Sequence, residues 1–281
     1  MAYLQLSPSK VSTWLDCPRR YFFAYVERRP SGRSWAHLSF GNSVHAALRE
    51  WFVLARSQRD PLRVTEIVSQ QWIDAGFRDA EQSETWRRRA VEMVSAYVTS
   101  LDPGFEPVSS ERTLAFKVDG FIMQGRIDRI DRVHESDDND DRLSVIDYKT
   151  GKTAPTIEDV RGSSALAMYA LMVQRTLGAS CFDVALHHVP SGACVSWTHT
   201  DKSLQRQVDR VAQIARDIVA AQDTRDSLDI ADEQVLDDLF PARPGRVCGF
   251  CDYREVCPAG QLASERQESW AGLSDSLDQA V

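Results

Sequence analysis

Lysine is scarce in this chain. Only Lys10, Lys117, Lys149, Lys152 and Lys202 occur in 281 residues, so most of the positive charge is arginine. No apolar run approaches the roughly 20 residues that span a bilayer. The opening MAYLQLSPSK has neither the basic region nor the apolar stretch of a secretory leader. Internal repeats are missing, and so is a phosphate loop, because Gly151-Lys152 lacks the upstream glycine of that motif. The expectation is a soluble, cytoplasmic protein with no membrane partner and no helicase motor of its own. A net charge of −8 offers no overall excess of cations for nucleic-acid phosphate. The acids are bunched, however: five lie in residues 134–142 and seven in Asp223–Asp238, and both segments read as solvated loops. Arginines cluster elsewhere, at Arg19–Arg20, Arg28–Arg29–Arg33 and Arg87–Arg88–Arg89. Net charge therefore does not decide the partner.

The first hundred residues read as helical. Ser7 followed by Pro8 is an N-cap with proline at the first helical position, predicting a helix from about Pro8 to Val26. A second helix is predicted from Gly41–Ser43, where Val44, Leu48, Trp51 and Phe52 share a face. Two more are expected at about 61–76 and 84–101, before the stop at Asp102-Pro103-Gly104. From Glu111 the pattern changes to strands. ERTLAFKV and FIMQGRIDRIDRV read as a hairpin turning at Asp119-Gly120, and LSVIDYK as a third strand. A helix over 156–177 follows, with Ala165, Met168, Tyr169 and Met172 on one face. Next come a hairpin around Pro190-Ser191-Gly192 and an amphipathic helix over 201–222. Helices, sheet, crossover helix and more sheet indicate a mixed α/β core with helical additions.

Two stretches carry chemistry. In LSVIDYK, alternation puts Leu143, Val145, Asp147 and Lys149 on one face of the strand and Ser144, Ile146 and Tyr148 on the other. An acid and a lysine at the end of an apolar strand are costly to bury singly. A divalent cation offsets that cost, and the lysine is then placed to hold or help deprotonate a water. Asp128, on the strand expected to pair nearby, supplies a second carboxylate, and such oxygens suit Mg²⁺. Taken singly, Asp147-x-Lys149 is a surface ion pair, His45 a helix-end histidine and Glu111 a solvated strand end; the order of the pieces favours function.

The second stretch is VCGFCDYREVCP. Cys248, Cys251 and Cys257 have metal-binding spacing but leave one ligand missing, and Cys17 is the natural fourth. Spacing leaves zinc and iron–sulfur both open. A disulfide does not suit a cytoplasmic protein. Cys181 and Cys194 stand near apolar strands and read as core residues.

Taken together, these stretches resemble the RecB-type nucleases of the PD-(D/E)xK superfamily over most of the chain. LSPSKVSTWLDCPRRYFF resembles the family's opening helix, and GNSVHAAL, GRIDRID and VIDYKTGK resemble its three motifs. SALAMYAL is similar to the helical motif that follows, with Ala165 where the family usually has glutamine. The resemblance implies a restriction-endonuclease-like mixed sheet flanked by helices, with N-terminal helical additions and a C-terminal iron–sulfur clip. It implies a Mg²⁺- or Mn²⁺-dependent DNA nuclease, read as an exonuclease acting in repair or recombination on DNA that is single-stranded or has free ends, alone or beside a separate helicase. By residue match, His45, Asp128 and Asp147 are metal ligands with the Tyr148 carbonyl, Lys149 is the catalytic lysine, and Tyr169 sits near the substrate phosphate. Glu111 opens its strand as an acid often does in the family. One branch holds a 4Fe-4S cluster on one early and three late cysteines, which implies that cluster on Cys17, Cys248, Cys251 and Cys257, with Arg19 and Arg20 meeting DNA phosphate. Such a clip closes a very long loop, for a gain of a few kcal/mol. Residues 1–265 then form one nuclease domain, with helical part 7–101, catalytic sheet 110–200 and cysteine clip 245–258, followed by a polar tail over 266–281. The alternative is a non-cleaving DNA-binding or scaffolding module with an iron–sulfur or zinc clip.

Overall fold

A computed structural model describes residues 3–118, 120–133, 142–228 and 233–273. The helices are α1 (Pro8–Asp16), α2 (Pro18–Tyr21), α3 (Ala36–Val53), α4 (Val64–Gln71), α5 (Ala80–Ser100), α6 (Ile157–Gly162), α7 (Ser164–Leu177), α8 (Asp201–Ser227), α9 (Glu233–Leu239) and α10 (Pro258–Ala263). The strands are β1 (Leu4–Leu6), β2 (Ser109–Val118), β3 (Phe121–Arg132), β4 (Arg142–Lys149), β5 (Ser180–His188) and β6 (Ala193–Thr198).

Ser7 caps α1 as expected, its hydroxyl accepting the Lys10 N–H at 3.3 Å. The first helix is not continuous to Val26, however. Pro18 disfavours helical backbone in the residue before it, Cys17 is extended, and the chain restarts as α2 with a π-helical turn over Phe22–Val26. Helix α3 begins five residues before Gly41, and the span predicted over 156–177 breaks at Ser163, which caps α7 through the Leu166 N–H. The predicted hairpin forms as an antiparallel β2–β3 ladder with Gly120 in left-handed backbone, where glycine is unstrained. Asp119 and residues 134–141 lie outside the described residues, as do 229–232. Within the second acidic segment, Asp223 and Asp226 belong to α8 and Asp237 and Asp238 to α9, so its described part is helix and not loop.

The sheet runs β1-β3-β4-β5-β6, with β2 along the remaining edge of β3. The β4–β5 pair is parallel, joined by the crossover through α6 and α7. Helices cover both faces, and the alternation in β4 sorts its side chains between two cores as predicted. Leu143 and Val145 enter the core formed with α1, α7 and α8, while Ile146 and Tyr148 enter the one formed with α3, α4 and α5. Full burial of one such apolar side chain is worth about 1.5–3 kcal/mol, and a one-residue slip of β4 would send each set into the other core, along with Asp147 and Lys149. The expected polar tail is partly docked. Ala36 donates to the Ser269 carbonyl, Arg33 to the Gln267 carbonyl and the Glu268 carboxylate, and Leu273 packs on the second core.

Candidate active site

Strand β3 divides one edge between two partners. β1 pairs with Phe121–Met123 and β4 with Arg129–Arg132, which leaves residues 124–128 between them on that edge. The β3–β4 ladder ends at Arg129–Ile146, and Asp128 and Asp147 are the next residues beyond it. Sheet pairing no longer uses the backbone there, and side chains take over. Asp128 Oδ2 accepts the Tyr148 backbone N–H at 2.8 Å. Helix α3 lies across the same opening and brings His45 Nδ1 to 3.3 Å from that oxygen.

Glu111 completes the group. His45 Nδ1 is 3.9 Å from Glu111 Oε1, and one ligand atom from each of His45, Glu111 and Asp128 lies within 4.8 Å of the others. Glu111 holds a positive φ of 50°, a conformation that costs a residue with a side chain about 1–3 kcal/mol. Its side chain is only 8% exposed. Nothing in the alternation of the strand marks this residue; only its position at the head of the strand does. Asp147 and Lys149 form an ion pair beside the group, as parity predicts, and the lysine side chain is 48% exposed. Tyr148 does not turn its side chain to the site. Its ring packs edge-on to His45 from the second core, its hydroxyl accepts from Arg129 at 3.3 Å, and its backbone N–H is what reaches Asp128.

Tyr169 stands on α7, over the opposite face of β3. Gly125 makes room for it: a Cβ at that position would lie 2.7 Å from Tyr169 Cε1. Burial first, and then the charges of Asp147, Asp128 and Glu111, push the phenol pKa up, so the ring stays protonated near these acids.

The electrostatics suit a cation. Burial, then the neighbouring Asp128, raises the Glu111 pKa against the opposing charges of Arg126, His45 and Arg49. Burial also raises that of Asp147, with Lys149 opposing it and Asp128 adding to it. For His45, burial disfavours the imidazolium, but the hydrogen bond and charge of Asp128, with Asp147 and Glu111, outweigh it, and the pKa rises. Glu111 Oε2 and Asp147 Oδ2 are buried without a well-aligned hydrogen-bond donor, though each lies against a cationic side chain. Crowded carboxylates beside one imidazole are a donor set that a divalent cation can satisfy.

The four cysteines singled out in the sequence line one cavity of about 200 Å³, with Arg20 and Arg243 on its wall. The Arg243 N–H points at Cys17 Sγ and the Gly245 N–H at Cys248 Sγ, each at 3.4 Å. Arg19 is not placed to meet phosphate. It is 4% exposed, donates to the Phe240 carbonyl at 2.9 Å and pairs with Asp237, so it ties α2 to α9. Cys181 is a core residue as predicted, whereas Cys194 is exposed on edge strand β6, its thiol 3.1 Å from His187 Nε2.

No helix among the described residues is long and apolar enough to cross a membrane. No curated protein matches the chain. Among solved structures, a Eubacterium rectale protein provisionally named an exonuclease is 13% identical and overlaps 78% of this chain and 82% of its own, with a TM-score of 0.48. The protein SSO0001 is 14% identical over 92% of this chain and 89% of its own, with a TM-score of 0.40. The sequence profile of the PD-(D/E)XK nuclease superfamily matches residues 5–258. That match spans the helices, the split sheet and the cysteine segment, and the chain belongs to the PD-(D/E)XK nuclease superfamily.

Proposed function

We propose that the protein is a Mg²⁺- or Mn²⁺-dependent deoxyribonuclease. The observation that carries this is the convergence of His45, Glu111 and Asp128, with the Asp147–Lys149 pair, where β3 and β4 separate. His45, Glu111, Asp128 and Asp147 are the residues to hold the ion. When bound, the ion neutralises the scissile phosphate and acidifies the attacking water. Lys149 offers its ammonium to that water and to the charge that grows on phosphorus oxygens during attack. Tyr169 offers a protonated phenol to a phosphate oxygen from the other side. The Tyr148 N–H fixes the Asp128 carboxylate so that it meets the ion without reorganising. The substrate we infer is DNA that is single-stranded or has free ends, cut exonucleolytically in repair or recombination, with strand separation left to a separate helicase.

The cysteine cavity fits a 4Fe-4S cluster. Two thiols have backbone N–H groups pointed at them, which lowers the cost of burying thiolate charge. Four thiolates suit zinc as well as iron–sulfur, and it is the resemblance to the cluster-bearing branch of RecB-type nucleases that favours 4Fe-4S.

Cleavage of end-labelled DNA in Mg²⁺ and Mn²⁺ tests the site. Asp147→Ala and Lys149→Ala should each reduce cleavage by about 100-fold or more, as loss of an acid–base or ion-holding group does. Both variants should keep the wild-type circular dichroism spectrum, and wild-type turnover by either would remove it from the mechanism.

A further inference from the structure

Glu111 Oε2 has a second suitor. Arg126 Nε lies 2.6 Å from it, and the Arg126 side chain is 66% exposed while Glu111 is 8% exposed. Arg126 therefore reaches inward from the rim to a carboxylate that belongs to the ligand group of the site. Arg49, on the same helix as His45, adds its positive charge to the same carboxylate. An ion pair this exposed on one side contributes little to stability. It does not account for an acid held in left-handed backbone and turned toward His45 and Asp128.

A divalent cation and a guanidinium compete for that one carboxylate. Without the cation, Arg126 neutralises Glu111. With the cation bound, the Glu111 charge is engaged and the ion repels the guanidinium. Arg126 then stands at the mouth of the site with its donors unspent. A planar fork of N–H donors matches two oxygens of a phosphate.

We propose that Arg126 is a metal-gated phosphate clamp, paired to Glu111 in the metal-free protein and handed over to a backbone phosphate of DNA when the cation takes Glu111. This rests on the metal-dependent nuclease reading and extends it to the order of events: metal first, firm DNA engagement second. Metal and DNA then bind cooperatively through a defined side chain, and each must strengthen the other by the same factor.

The test uses full-length protein carrying Lys149→Ala, so that DNA survives the measurement. Calorimetry gives the Mn²⁺ affinity, and fluorescence anisotropy with a labelled single-stranded oligonucleotide gives the DNA affinity with and without Mn²⁺. Removing the competing charge with Arg126→Gln should tighten Mn²⁺ binding by about 3- to 10-fold, since a like charge beside the ion is gone. The same variant should lose about 5-fold or more of the gain in DNA affinity that Mn²⁺ produces. Arg126→Lys should fall between the two. Unchanged or weaker Mn²⁺ binding in Arg126→Gln, or an undiminished Mn²⁺-induced gain, would overturn the clamp while leaving the nuclease reading in place. A parent protein that binds no Mn²⁺, or binds it equally well with Asp128→Asn, would overturn the metal site and the clamp together.

Discussion

At the scale of single residues, Gly125 shows how a motif glycine serves a neighbour. A Cβ there would come within 2.7 Å of Tyr169 Cε1, 3.3 Å of Met172 Cε and 3.4 Å of Pro8 Cδ. Gly125→Ala should therefore destabilise the protein by about 1–3 kcal/mol through overpacking and push Tyr169 off its seat. If that displacement is its main effect on turnover, adding it to Tyr169→Ala should cost no further activity. A double variant much slower than Tyr169→Ala would show that Gly125 acts by another route. That Asp147 and Lys149 share a face was legible from strand parity, because alternation is a backbone property, and their link to a site came from the order of the motifs. Glu111 was not: a positive φ in a residue with a side chain leaves no trace in composition or periodicity. Arg19 misled for a related reason, since an arginine next to an arginine looks solvated until Asp237 and the Phe240 carbonyl are found packed on it.

At the scale of elements, the strands that build the site also carry a buried polar network on their other face. Arg129, only 2% exposed, pairs with Asp131 and donates to the Tyr97 and Tyr148 hydroxyls, and Tyr97 meets His187 Nδ1 at 2.8 Å. Burial, then the nearby Arg129 charge, lowers the His187 pKa to about 4, from an ordinary 6.5. Between those values the unfolded chain binds a proton that the folded protein refuses, so stability falls as pH falls through this window. From pH 7 to pH 5 the His187 contribution should fall by about 2 kcal/mol. Urea unfolding at the two pH values checks this, with His187→Gln expected to flatten the difference by that amount. An equal pH dependence in the variant would assign the loss to other groups. The long helices and β2–β6 were readable from hydrophobic period and caps, whereas β1, α9 and α10 were not, and the helix expected over 61–76 is confined to α4. The break at Cys17 was the least visible boundary, although Pro18 announced it in steric terms.

At the scale of the whole molecule, the chain's ends meet. Cys17 follows the first helix and Cys248, Cys251 and Cys257 come from the last segment, yet all four line one cavity. If they hold 4Fe-4S, anaerobically purified protein should be brown with about four irons per chain. Cys17→Ser should lower both iron content and thermal stability, while Cys181→Ser keeps the iron; colourless protein with one zinc would contradict this. The meeting of the ends was expected from thiol count, but the docking of residues 267–273 was not, because their contacts run largely through backbone carbonyls that sequence does not encode. The ion site where the sheet splits is tested by cleavage of end-labelled single-stranded DNA by wild type and Asp147→Ala, with Mg²⁺ or Mn²⁺ and then with EDTA. Wild type should cleave, EDTA should abolish that cleavage and Asp147→Ala should lack it; metal-independent cleavage, or full activity in Asp147→Ala, would contradict an ion site there.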